Sequence, residues 1–231
     1  MIDIEPLHFA WTSGGPDTLA LGPLHLDAGQ TVFLHGPSGC GKSTLLGLLA
    51  GVLSPREGRV SLLGKDWAAL GAGQRDAFRA DHVGVIFQQF NLLPYLSVLD
   101  NVTLPCRFSA LRRRRSSQGP FAGPEQSAQS WLQRMGLPAE LWGRRADTLS
   151  VGQQQRVAAA RALIGQPELI LADEPTSALD AALRHDFMDL LLQATRDAGS
   201  TLVCVSHDAT QAERFDLQWS LPELQKLGMT A

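Results

Sequence analysis

The chain is predicted to be an α/β protein. A mainly parallel sheet is covered by helices on both faces, an antiparallel β-subdomain precedes it, and a helical subdomain is inserted within it. Two observations predict the core of this class. Four short apolar runs, Thr31–His35, 83–87, 169–172 and Thr201–Val205, alternate with longer stretches of helical texture. Unbroken apolar runs mark strands buried on both faces, as in parallel sheets. Each run is followed directly by polar residues: a glycine-rich loop, Gln88, Asp173-Glu174 and His207. Open α/β sheets bind their ligands at the carboxyl ends of the strands, where these residues would gather.

Residues 2–9, Leu19–Leu21 and Leu24–Leu26 read as short strands ahead of Thr31–His35. Gly14-Gly15-Pro16-Asp17 and Asp27-Ala28-Gly29 supply the turns between them. The Thr31–His35 run leads into GPSGCGKST, residues 36–44, which fits G-x-x-x-x-G-K-[ST] with Gly36, Gly41, Lys42 and Ser43 at the fixed positions. A Leu-rich stretch of helical character, 42–53, follows, so the motif has the strand–loop–helix context of a phosphate-binding P-loop. Glycines let successive N–H groups form a concave anion site, and the helix N-terminus adds its partial positive charge. In this pattern the lysine reaches the β- and γ-phosphates and the serine hydroxyl ligates Mg²⁺. Trp11 ends the first strand, where its ring can lie flat on an adenine or simply cap the sheet.

Residues 54–58 stop the chain and Val60–Leu62 resumes it as a strand. A polar helix is predicted over 72–81, and the 83–87 strand ends at Gln88. Texture then changes. Residues 98–110 read as helical with an interruption at Pro105. Arg112, Arg113, Arg114 and Arg115 form a basic run, and 116–124 are rich in Ser, Gln, Gly and Pro. This combination predicts a mobile surface loop rather than a packed element. A short helix over 127–135 puts Trp131, Leu132 and Met135 on one side. The region is read as a helical insertion, and the next helix is predicted over 150–164. The 169–172 strand runs into DEPTSALD, followed by an amphipathic helix, Ala181–Ala198, with Leu183, Phe187, Leu190, Leu191 and Ala194 at helical spacing. The last residues, 221–231, contain Pro222 and Gly228 and read as a short tail.

Two further sites carry chemistry. Asp173 ends a buried strand, where a carboxylate can hold Mg²⁺ opposite Ser43, and Glu174 is placed to take the proton of an attacking water. Ser150, in LSVGQ, would cap a helix whose free N–H groups make a second anion site distinct from the P-loop. Taken alone, simple capping is the stronger explanation of that serine.

Composition narrows the class. The 231 residues are 44% apolar and 19% charged, the balance of an ordinary soluble domain. A net charge of −3 offers no basic field for nucleic acid. Cys40, Cys106 and Cys204 are odd in number and widely spaced, which suits reduced thiols in a cytosol. The N-terminus carries no secretory pattern, and the most apolar stretch, 45–53, is about half of the ~20 residues a membrane span needs.

Taken together, GPSGCGKST, FQQFNLLP, LSVGQQQRV, LILADEPTSALD and VSHD resemble, in kind and in order, the motifs of the nucleotide-binding subunits of ATP-binding cassette (ABC) transporters. The resemblance covers nearly the whole chain and implies an ATPase with ATP and Mg²⁺. Two cassettes, this chain with a second copy (a homodimer) or with a paralogue, pair head to tail, each ATP lying between the P-loop of one and the LSVGQ helix start of the other. The resemblance also implies a separate transmembrane permease subunit, no nucleic-acid partner, and a cytoplasmic, peripheral place on the inner face of the membrane. It places nucleotide contacts at Trp11, Gly36, Ser38, Gly39, Cys40, Gly41, Lys42, Ser43 and Thr44. The partner's nucleotide would be met by Ser150, Gly152 and Gln153; Asp180, which ends the D-loop, is also implied among the cofactor-binding residues. Metal would be served by Ser43, Gln88 and Asp173, and catalysis by Glu174, His207 and Gln88. The implied organisation is a nucleotide-binding core with β-subdomain over 1–88, a helical subdomain docking on membrane partners over 89–150, and the rest of the core over 151–231. FQQFNLLPYLSVLDNV looks most like the branch of macrolide exporters and lipoprotein-releasing systems. Val151 departs from the usual LSGGQ. The competing readings are a soluble cassette ATPase acting on DNA or the ribosome, and a regulatory cassette. The first lacks long heptads and a basic face, and the second is opposed by intact Lys42, Asp173, Glu174 and His207.

Overall fold

The computed structural model describes residues 1–228. Among them the central sheet is all parallel, in the order β11 (Leu217–Ser220), β5 (Thr31–His35), β10 (Thr201–Val205), β9 (Leu169–Asp173) and β8 (Val83–Ile86). Side chains alternate across a strand, and this sheet uses both faces for core. Val32, Leu34, Leu169, Leu171, Val203 and Val205 join one apolar cluster, with the helix α1 (Lys42–Leu49) and the β-subdomain. Phe33, Ile170, Ala172, Leu202 and Cys204 point into the other, with the helices beyond. This double burial is why the strands read as continuous apolar runs.

The β-subdomain holds an antiparallel sheet in the order β4 (Leu24–Leu26), β1 (Ile2–Ile4), β6 (Val60–Leu62) and β7 (Lys65–Asp66). Beside it lies the pair β2 (Leu7–Phe9) and β3 (Leu19–Leu21). The expected single strand over 2–9 is therefore two. Pro6 falls at the break, where it has no N–H to give a ladder, and β1 and β2 pair in different sheets.

The helical region contains α3 (Val98–Thr103), α4 (Pro105–Phe108), α5 (Ala110–Arg115) and α6 (Pro124–Arg134), reached through α2 (Ala72–His82) and β8. Pro105 opens α4 at its first turn, where its missing N–H costs nothing. The arginine run is not a mobile loop. It forms α5, and Arg112 is 2% exposed. Its guanidinium donates to the carbonyls of Val83 (2.6 Å), Ala162 (3.4 Å) and Ile164 (3.5 Å). Burial brings its pKa down to about 10, so it stays charged at neutral pH. Arg115 bonds Gln166 O and the Glu168 carboxylate.

α7 (Val151–Leu163) and α8 (Ala181–Ala198) pack on the same side of the sheet. The buried face of α8 is rotated from the expected one: Leu183 is exposed, and Met188 and Leu192 are buried beside Phe187, Leu191 and Ala194. The expected tail also differs. Residues 221–228 form the helix α9 (Leu221–Gly228), with Pro222 in its first turn; the rest of the predicted tail, 229–231, lies outside the described residues.

Candidate nucleotide site

A pocket of about 280 Å³ opens where β5 gives way to α1. It is lined by Trp11 and Thr18 from the β-subdomain, by Ser38, Gly39, Gly41, Lys42, Ser43 and Thr44 from the loop, and by Glu174 and His207. Gly41 needs to be glycine twice over. Its φ is +104°, and a Cβ there would lie 2.6 Å from Leu19 Cδ2. Leu19 of β3 thus supports the loop from the β-subdomain side.

Charged groups in the pocket are held by one another and by the loop. Lys42 is 7% exposed, and its ammonium donates to Gly36 O (2.9 Å) and Pro37 O (3.0 Å). An ammonium has three donors, so one remains for an anion. Ser43 Oγ donates to Asp173 Oδ2 at 2.9 Å. Burial pushes the Asp173 carboxyl up; the Ser43 hydroxyl draws it back, and the neighbouring Glu174 charge adds to the rise. His207 Nε2 lies 2.6 Å from Glu174 Oε1. Glu174 has φ +46°, an uncommon conformation for a residue with a side chain, and its N–H is tied to Val205 O at 3.0 Å. That backbone turn brings its carboxylate to His207, one strand over.

Trp11 is 64% exposed, with its ring perpendicular to that of Phe9 at 5.2 Å between centroids. Ser43 Oγ and Asp173 provide two hard oxygen donors side by side, which fits Mg²⁺: that ion takes few protein ligands and completes its shell with water and substrate phosphates. No cluster of three or more His, Cys, Asp or Glu side chains able to hold a metal occurs among the described residues.

Other expected site residues lie outside this pocket. Cys40 does not line it, and its Sγ turns back toward Gly36. Gln88 is exposed in the turn after β8. Ser150 caps α7 with a reciprocal capping box to Gln153, and Asp180 caps α8 through Leu183 N. Ser150, Gly152, Gln153 and Asp180 contribute nothing to the pocket lining.

Two supporting residues escape a motif search. Gln155 is fully buried in α7 and donates to Pro175 O, directly after Glu174. Arg161 donates to Phe90 O (2.5 Å) and Asn91 O (2.7 Å), fixing a left-handed turn just beyond Gln88. Their signal is only that they are polar residues on the buried stripe of a helix.

A glycine loop on a parallel strand, an ammonium inside it, and a Ser–Asp and a Glu–His pair on its rim define a P-loop cassette built to handle a nucleoside triphosphate. Residues 23–177 match the family model described as ABC transporter, and the chain belongs to that family. It is an ATP-binding, ATP-hydrolysing subunit of the ABC type. Among its relatives is the ABC transporter ATP-binding protein YtrE of Bacillus subtilis, 38% identical over 214 residues, spanning 90% of this chain and 89% of YtrE. The macrolide export ATP-binding/permease protein MacB of Rhodopirellula baltica is 40% identical over 193 residues, 84% of this chain but 27% of MacB. Of solved structures, the post-hydrolysis dimer of the cassette MJ0796 bound to ADP and Pi superposes with a TM-score of 0.81 at 33% identity, covering 95% of this chain and 94% of that one. No helix among the described residues is long and apolar enough to cross a membrane.

Proposed function

We propose that this chain is one of two identical cassettes that close on two ATP molecules and drive a separate transmembrane permease from the inner face of the membrane. One observation carries the shared site. The pocket brings together Lys42, Ser43, Glu174 and His207, yet takes no lining from the capped N-terminus of α7. A second copy would bring Ser150, Gly152 and Gln153 to the open side.

The loop N–H groups and Lys42 bind the β- and γ-phosphates, and Trp11 stacks on the adenine. Ser43, Asp173 and, through the turn that Arg161 fixes, Gln88 would hold Mg²⁺, which supplies charge neutralisation on the phosphate oxygens. As the γ-phosphate enters, His207 exchanges Glu174 for a phosphate oxygen. Glu174 is then free to accept the proton of the attacking water. The water oxygen bonds to the γ-phosphorus while its bond to the β-bridging oxygen breaks, leaving ADP and phosphate. Residues 89–150 serve as the subdomain that docks on the permease. The likeness to MacB over 84% of this chain supports a place in the macrolide-exporter and lipoprotein-releasing branch.

Glu174→Gln tests the base. It is expected to keep ATP affinity, accumulate the closed dimer on size-exclusion chromatography with ATP, and lose roughly 10²–10⁴-fold in turnover. Hydrolysis at the rate of the unaltered protein would remove Glu174 from this role.

A further inference from the structure

We infer that Gln225, in the C-terminal helix α9, is a positioning residue for phosphate binding, acting through the Cys40–Gly41 peptide of the loop; this rests on the ATP reading above. α9 is placed by β11, which runs parallel to β5 with Ser220 opposite His35, the residue before the loop. The helix therefore starts beside Gly36, where a Cβ would lie 3.1 Å from Pro222 Cδ. Leu221 is fully buried, and Leu224 packs on the cluster that contains Leu45 and Leu48. At its far end Gly228 lies on β3, where a Cβ would come within 2.6 Å of Ala20 O. The helix is thus pinned at both ends. Between those points Gln225 Nε2 donates to Cys40 O at 3.1 Å.

That bond orients a phosphate-facing group. In a trans peptide the carbonyl and the following N–H point in opposite directions, and the described residues contain no cis peptide. Drawing Cys40 O toward α9 turns Gly41 N–H away from α9. Gly41 lines the pocket and α9 does not, so the N–H turns into the site. Gly39 and Gly41 flank Cys40 with φ of +80° and +104°, so no β-carbon on either side restricts rotation of this segment. A fixed carbonyl removes that freedom before the anion arrives, which is preorganisation of an N–H in the anion nest.

Gln225→Met tests the inference. Methionine keeps the length and helix propensity of glutamine and removes the donor. Affinity for ATP and ADP should fall about fivefold, one neutral hydrogen bond's effect. AMP, which has no β-phosphate, should bind as before. KM for ATP should rise in step while kcat stays within about twofold. Gln225→Lys, with a donor of similar reach, should restore ADP affinity. Unchanged ADP affinity in a folded Gln225→Met protein overturns the inference. So does an equal loss for AMP, the mark of a general structural effect. If Gln225→Met does not fold, Gln225→Glu sets an acceptor against Cys40 O, and ADP binding as tight as in the unaltered protein overturns the inference there. Failure of the unaltered protein to bind ATP, measured first, would instead sink the nucleotide reading itself.

Discussion

The carboxyl and amino ends of the central sheet carry similar kinds of residue and use them in opposite ways. At the carboxyl ends Ser43 pairs with Asp173 and His207 with Glu174 beside an open pocket that Lys42 lines. At the amino ends the polar side chains staple loops and strand starts. Asp216 accepts from Thr31 N and Oγ, Ser200 donates to Pro167 O, and Thr201 Oγ1 accepts from Gly29 N. Glu168 accepts from Arg115 (2.6 Å) and lies 2.7 Å from His82 Nδ1, while Arg112 spans Val83 O and the end of α7. A charge with fixed protein partners holds the fold, whereas a charge beside open space awaits a ligand. Substitutions at the two ends should therefore separate function from stability.

The largest effect is expected from Lys42→Met. ATP affinity should fall on the order of a hundredfold, ~3 kcal/mol, because charge-assisted bonds to phosphate are lost. The melting temperature without nucleotide should move little, since Gly36 and Pro37, whose carbonyls are freed, line a second open cavity of about 420 Å³ beside the nucleotide pocket, where water can take the place of the ammonium. Titration calorimetry beside thermal denaturation measures both. An affinity close to that of the unaltered protein would break the distinction at its functional end.

Glu168→Gln probes the amino ends. Burial alone would raise the Glu168 carboxyl, but the hydrogen bonds from His82 and Arg115 outweigh it and hold the pKa at about 2, against an ordinary 4.5. A depressed carboxyl contributes stability that is complete above its unfolded pKa and lost as pH falls toward the folded one. The stability gap between unaltered protein and variant should thus be full near neutral pH, up to about 3 kcal/mol, and shrink as pH drops below about 4.5. Denaturant unfolding across pH measures it, and a gap independent of pH would refute the assignment. KM for ATP should not change at neutral pH.

The same contrast explains what the sequence disclosed. Phosphate chemistry needs fixed residue types at fixed spacing on contiguous chain, so the P-loop, Asp173-Glu174 and His207 were legible, as were the buried strands that carry them. Staples at the amino ends join residues far apart in sequence, and no spacing rule marks Arg112 as the partner of the Val83, Ala162 and Ile164 carbonyls. Charge density alone made the arginine run look solvated. In the fold, carbonyls at the start of β8 and near the end of α7 give a buried guanidinium its partners. Pro222 and Gly228 misled in a similar way. Each reads as a chain breaker, yet one sits in the first turn of α9 and the other allows its close approach to β3.

α7 connects the two ends, with its C-terminus at Arg112 and its N-terminus at the capped Ser150. Val151, its first residue, is 46% exposed and not packed into either cluster. If this helix start meets a second copy's nucleotide, the isopropyl group stands where LSGGQ cassettes have no side chain. Val151→Gly should then lower the protein concentration at half-maximal specific activity about fivefold, ~1 kcal/mol of closer approach, with activity at saturating protein unchanged. Glycine at an exposed helix start costs less than about 1 kcal/mol of stability, so the fold should tolerate it. A concentration dependence identical to that of the unaltered protein would mean that Val151 does not limit the approach. Specific activity independent of concentration in both proteins would remove the shared site and leave α7 as a structural bridge between the two ends of the sheet.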